Sequence, residues 1–126
     1  GRDNSYAEGM NTVASGLISH AEGDTTIASK YGSHAEGSNT TASGNPSHAE
    51  GYGATASASN AHAEGNYTTA SGMSSHAEGD HALASGTAAH AEGMGGTYTL
   101  NKISYTSKAE GTSDHVEGYQ CLTQIG

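Results

Sequence analysis

The sequence has no tryptophan or phenylalanine, one cysteine, one proline and four lysines and arginines in 126 residues. Each scarcity excludes something. Without Trp or Phe, and with hydrophobic residues at 33%, an ordinary globular core is out of reach. The single Cys121 can form no disulfide within the chain and reads as a small, partly buried thiol. Thirteen acidic against four basic residues give a formal net charge of −9, and so acidic a surface repels nucleic acid. No apolar run approaches the ~18 residues of a membrane helix, so no membrane insertion is expected. Neither a signal peptide nor an anchor is visible. The start at Gly1-Arg2 reads as a piece of a longer protein.

What is abundant is repetition. Ser19-His20-Ala21-Glu22-Gly23 returns as Ser33–Gly37, Ser47–Gly51, Ala61–Gly65, Ser75–Gly79 and Ala89–Gly93, always fourteen residues on. Ser5–Gly9 is an earlier copy with Tyr6 in the histidine position. Halfway between copies lies a second phrase, as in Thr12-Val13-Ala14-Ser15-Gly16 and Thr40-Thr41-Ala42-Ser43-Gly44. The beat is therefore seven residues in two alternating flavours. Alanine keeps it without a miss at Ala7, Ala14, Ala21, Ala28, Ala35, Ala42, Ala49, Ala56, Ala63, Ala70, Ala77, Ala84 and Ala91. Such a period marks a solenoid before any other signal is weighed. The 19 glycines do not fall at every third position, so collagen is excluded. A disordered coil has no need to keep alanine in phase.

A seven-residue period also suggests a coiled coil, but that needs two large apolar residues per heptad. Here the fixed residues are Ala, Gly and Ser or Thr, and a glycine every heptad would cost a helix about 1 kcal/mol each time. Strand fits. In Ser19-His20-Ala21-Glu22 the serine and alanine share one face, the histidine and glutamate the other. The following glycine supplies the positive φ of a tight corner, and Pro46 sits in such a corner, where a missing N–H matters least. Each coil reads as two short strands and two corners. Coils stacked ~4.8 Å apart then form two parallel sheets back to back. The lining is the alanine series with Ser, Thr or Ala two residues before each. So thin an interior buries little apolar area and calls for a partner on one outer face.

Residues 1–93 form the β-roll array. Lys30 and Ala58 replace a corner glycine and predict looser corners. The beat slips after Gly93, and 94–106 reads as an insertion, a loop or a hairpin. Residues 107–118 resume the repeat, with Lys108 and His115 both eligible for the histidine sheet. Residues 119–126 begin a following element.

The alternation of Ser-His-Ala-Glu-Gly with Thr-x-Ala-Ser-Gly, and the phrase Asn4-Ser5-Tyr6-Ala7-Glu8-Gly9, resemble the head repeats of YadA-like trimeric autotransporter adhesins. They are similar also to repeat modules of bacteriophage tail-fibre and tail-spike proteins. The resemblance covers 1–93 and, less well, 107–118. It implies an all-β, left-handed parallel β-roll assembled as a homotrimer. In the adhesin heads the strand facing the threefold axis carries two aliphatics, Ser-Val-Ala-Ile-Gly. Those positions here are His20 and Glu22, His34 and Glu36, His48 and Glu50, His62 and Glu64, His76 and Glu78, and His90 and Glu92.

Stacked carboxylates ~4.8 Å apart repel by roughly 1 kcal/mol per pair in water, and the histidines are the only regular partners. A His–Glu ladder between neighbouring chains would answer the charge and raise the imidazole pKa. Stability would then peak in mildly acidic solution. Two alternatives are an axial transition metal on His20, His34, His48, His62, His76 and His90, or a bound anion, and a solvated face. A catalytic role is not expected, since active sites are single asymmetric constellations and this motif is copied coil after coil. His81 reads as surface.

Two function classes follow. One is a structural or adhesive module, a rigid shaft or head of a phage tail fibre or surface adhesin in host attachment, located on a virion or a bacterial surface. The other is a ligand-binding module, contacting a host glycan or receptor through the Ser/Thr-rich outer sheet or 94–106, or a metal through the axial columns. Ice binding by a threonine array is opposed by Val13, Ile27 and Leu83 in that column.

Overall fold

The computed structural model describes residues 3–94, 98–100, 103–105 and 108–118. The described residues form a parallel β-solenoid with coils of about fourteen residues and no helix. One sheet has eight strands: Tyr6–Met10, His20–Asp24, His34–Ser38, Ser47–Tyr52, Ala61–Asn66, His76–Asp80, His90–Met94 and His115–Val116. The other has seven: Val13–Ala14, Ile27–Ala28, Thr41–Ala42, Thr55–Ala56, Thr69–Ala70, Leu83–Ala84 and Lys108–Ala109. Register is kept throughout, so that histidine pairs histidine and alanine pairs alanine from coil to coil.

The two sheets are unequal. Strands of the first run five or six residues and pass through the glycine; those of the second stop after two. At the corners that keep their glycine the stop has a local cause. The Ala28 carbonyl accepts from both Ser15 N–H at 2.9 Å and Gly16 N–H at 3.4 Å, and the same doubling recurs at Ala56, Ala84 and Ala109, whereas Ala42 and Ala70 accept from Ser29 and Ser57. Two consecutive N–H groups on one acceptor turn the chain out of extended geometry.

The interior is as small as the lining predicts. Ala14 through Ala91 of the alanine series are buried, together with Ser19, Ser33, Ser47, Thr26, Thr40 and Thr68. Ala7, in the first coil, is exposed, because it has a coil on one side only. Serine in the Ser-His-Ala-Glu-Gly phrase does more than fill space. Ser19, Ser33 and Ser47 donate their hydroxyls to the carbonyls of Gly16, Lys30 and Gly44, at 2.7, 2.7 and 3.1 Å. Ser33 and Ser47 also accept from the Lys30 and Gly44 N–H groups. Each such serine staples the corner behind it, including the corner at Lys30. In the resumed coil the Asp114 carboxylate accepts from the Gly111 N–H in the same way.

Corner glycines act by two mechanisms. Gly51 has φ +107, and a Cβ there would lie 2.3 Å from the Gly65 carbonyl oxygen of the next coil. Gly44 has no positive φ, yet a Cβ would lie 1.8 Å from the Ala58 oxygen. The glycine after each Ser-His-Ala-Glu phrase has the positive φ expected of it, and two residues past the corner position stand further positive-φ residues: Asn11, Thr25, Asn39, Tyr67 and His81 on one side, Ile18, Asn60, Ser74 and Ala88 on the other. Pro46 is costlier than expected. Ile18, Gly32, Asn60, Ser74 and Ala88 each donate an N–H to the preceding coil from the equivalent position, and proline cannot.

After Met94 the insertion contains an antiparallel pair, Tyr98–Leu100 with Ile103–Tyr105, hydrogen-bonded to neither large sheet. The chain then rejoins at Lys108–Ala109, paired with Leu83–Ala84, and His115–Val116, paired with His90–Ala91. The added residues therefore sit in one corner, and His115, not Lys108, continues the histidine column. Cys121 and the tail 119–126 lie outside the described residues.

Candidate functional site

The outward face of the long sheet carries the His and Glu positions in two unbroken columns. The parallel register superimposes each imidazole on the next: His20, His34, His48, His62, His76, His90 and His115 stack with centroids 4.7–4.8 Å apart and planes within 11° of parallel. Tyr6 closes one end, edge-on to His20 at 5.3 Å. Side chains of the inner histidines and glutamates are about one-third exposed, as at His76 (34%) and Glu64 (33%).

Carboxylates meet imidazoles along most of the column. Nε2 of His48, His62, His76 and His90 lies 3.5, 3.4, 3.2 and 3.4 Å from a carboxylate oxygen of Glu36, Glu50, Glu64 and Glu78, each in the preceding coil. A His–Glu ladder is thus made within one chain, because parallel register sets each histidine beside the glutamate two residues on in the coil before. Pairing is uneven: Nε2 of His20, His34 and His48 is buried with no hydrogen bond.

Within the single chain, burial, with the His48 and His20 charges adding to it, lowers the His34 pKa although Glu36 and Glu50 pull the other way. At His34 the neutral ring is thereby favoured. In the carboxylate column Glu22 is raised, chiefly by sharing a hydrogen bond with Glu36 and then by burial. Burial alone would raise Glu36 too, but the Glu22 and Glu50 hydrogen bonds, the His34 charge and the polar contact with His48 outweigh it and lower its pKa.

Beside the carboxylates runs a groove the sequence reading missed. Gly51, Gly65, Gly79 and Gly93 floor it, the Glu50–Glu92 column walls it, and its volume is about 730 Å³. The signal was present in the invariant glycine following each glutamate, whose lack of a side chain leaves a channel. At the next corner Tyr67 stacks on His81 at 5.3 Å and meets Tyr52 edge-on at 5.2 Å. His81, exposed as expected, bonds the Asp80 carboxylate and lowers its pKa.

A surface copied coil by coil on a parallel solenoid defines a structural repeat module. The family model described as "YadA head domain repeat (2 copies)" matches residues 7–29, 35–57 and 77–97, more than half of the chain, and the chain belongs to that family. No curated protein sequence matches it. Heads of this family are structural adhesin domains, exposed outside the cell and trimeric. Among the described residues no helix is long and apolar enough to cross a membrane.

Proposed function

We propose that this chain is a rigid segment of a trimeric fibre, the shaft or head of a bacterial surface adhesin or of a phage tail fibre. It holds a host-binding part away from the particle or cell that carries it. Three copies place the His/Glu face on the threefold axis, and host glycan or receptor is met by the outer Ser/Thr sheet or the inserted strand pair. The observation that carries this reading is the invariance of the histidine and glutamate columns, coil after coil, beside corner pairs that drift freely. A solvated face has no reason to resist that drift. The core of alanine, serine and threonine supports it as well, since so little buried apolar area leaves a lone roll marginal.

Sedimentation equilibrium at micromolar concentration tests the assembly, with a trimer expected and a folded monomer overturning it. Two triple variants then locate the interface. Glu36→Arg/Glu50→Arg/Glu64→Arg dissociates the trimer, while Thr41→Arg/Thr55→Arg/Thr69→Arg leaves it intact. The reverse pattern would move the interface to the sheet bearing Val13, Ile27 and Leu83.

A further inference from the structure

The carboxylate column lacks fixed cations. Its members stack at the coil spacing of ~4.8 Å, and among the described residues the lysine bridge is Lys108–Glu110, off this column. Imidazoles answer the charge only in part, since at His20, His34 and His48 a buried Nε2 has no hydrogen bond.

The donor atoms converge in a repeated pattern. His76 Nε2 lies 3.2 Å from Glu64 Oε1 and 3.9 Å from Glu78 Oε2. His90 Nε2 lies 3.4 Å from Glu78 Oε1 and 3.6 Å from Glu92 Oε2. His115 Nε2 lies 3.7 Å from both Glu92 Oε1 and Glu117 Oε2. Glu78 and Glu92 thus each turn one oxygen to the imidazole of their own strand and the other to that of the next coil. Glu64–His76–Glu78, His34–Glu36–His48, His48–Glu50–His62 and His90–Glu92–His115 each bring three donor atoms within 4.8 Å of one another. Around a first-row ion with bonds of about 2.0–2.2 Å, neighbouring donors stand roughly 3–3.5 Å apart. Side chains one-third exposed can rotate through the difference.

We propose that the His/Glu face is a linear binding site for a divalent transition ion of the Zn²⁺ or Ni²⁺ class. Each ion is held by donors of adjacent coils, two imidazoles with the carboxylate between them or one imidazole with two carboxylates. Nitrogen in every set favours these ions over Mg²⁺ and Ca²⁺, which take oxygen shells. All the ligands come from one chain, so the site stands whichever sheet meets the threefold axis. It places positive charge between stacked carboxylates without a single lysine.

Protein stripped with chelator and titrated with Zn²⁺ provides the test. The expected result is more than one ion retained per chain through desalting, with no retention of Mg²⁺ or Ca²⁺ under the same conditions. Glu50→Gln/Glu64→Gln/Glu78→Gln/Glu92→Gln, which keeps side-chain size, should reduce the retained Zn²⁺ at least twofold. One ion or fewer on the parent chain overturns the proposal, as does a smaller reduction in the variant. Should the variant fail to fold by circular dichroism, imidazole ¹⁵N spectra of the parent chain decide. Zn²⁺ must shift the Nε2 resonances of the column, and unchanged resonances reject the site.

Discussion

The long and short sheets are built on the same seven-residue beat, yet one repeats its outer residues and the other lets them drift. On the long sheet, His and Glu recur in every coil from His20 to Glu92. On the short sheet the outward column reads Val13, Ile27, Thr41, Thr55, Thr69, Leu83 and Lys108. Inside, the two are alike, with alanine against alanine. The difference teaches that the solenoid's own stability constrains the inner face and the corners, and leaves the outer residues to another requirement. That requirement acts on one sheet.

The comparison breaks most sharply at the corners. Gly51→Ala should cost about 4 kcal/mol or more, because both its φ of +107 and the Gly65 oxygen 2.3 Å from a Cβ oppose the change. Gly44→Ala should cost less despite a closer contact, 1.8 Å to the Ala58 oxygen. Its φ is permissible for alanine, and Lys30 and Ala58 occupy equivalent corners. Urea melts of the two variants give the ordering, and equal losses would show that space alone sets the corner. Next in size is overpacking. Ala63→Val pushes methyl groups into a fully buried site and should cost about 1–3 kcal/mol, read from the shift in urea midpoint.

Acid should then separate the sheets. His34 titrates in the folded chain below its unfolded value of about 6.5. Its stabilisation is therefore fully present above that value and lost as pH falls through the folded one. The two shifted glutamates act lower and in opposite senses: Glu22, raised, favours the folded state in acid, while the share of Glu36, lowered, is lost there. Melting temperature should fall between pH 7 and pH 5, and His34→Gln should reduce the fall. A melting temperature that rises over this interval would restore the mildly acidic optimum. The smallest effect belongs to the short sheet's outer face, where Thr55→Val should change stability by within about 0.5 kcal/mol. A larger loss in thermal melts would mean that this face, too, is held by a partner.

Much of this architecture was legible from the chain alone. The alanine series fixed the period, glycine and serine excluded helix, and alternation within Ser-His-Ala-Glu told which side chains turn inward. The site was legible as columns, because stacking identical coils in register leaves identical residues nowhere else to go. Three things were not. His115 rather than Lys108 continues the column, which depends on where the insertion returns the chain. Serine's corner staple depends on a carbonyl three residues back being aimed at its hydroxyl. The histidines' partners and the direction of the His34 shift depend on distances between coils and on burial. Sequence determines a repeat's period and faces, since these follow from the local geometry of one strand. Pairings between coils are relations in space, and only the folded stack decides them.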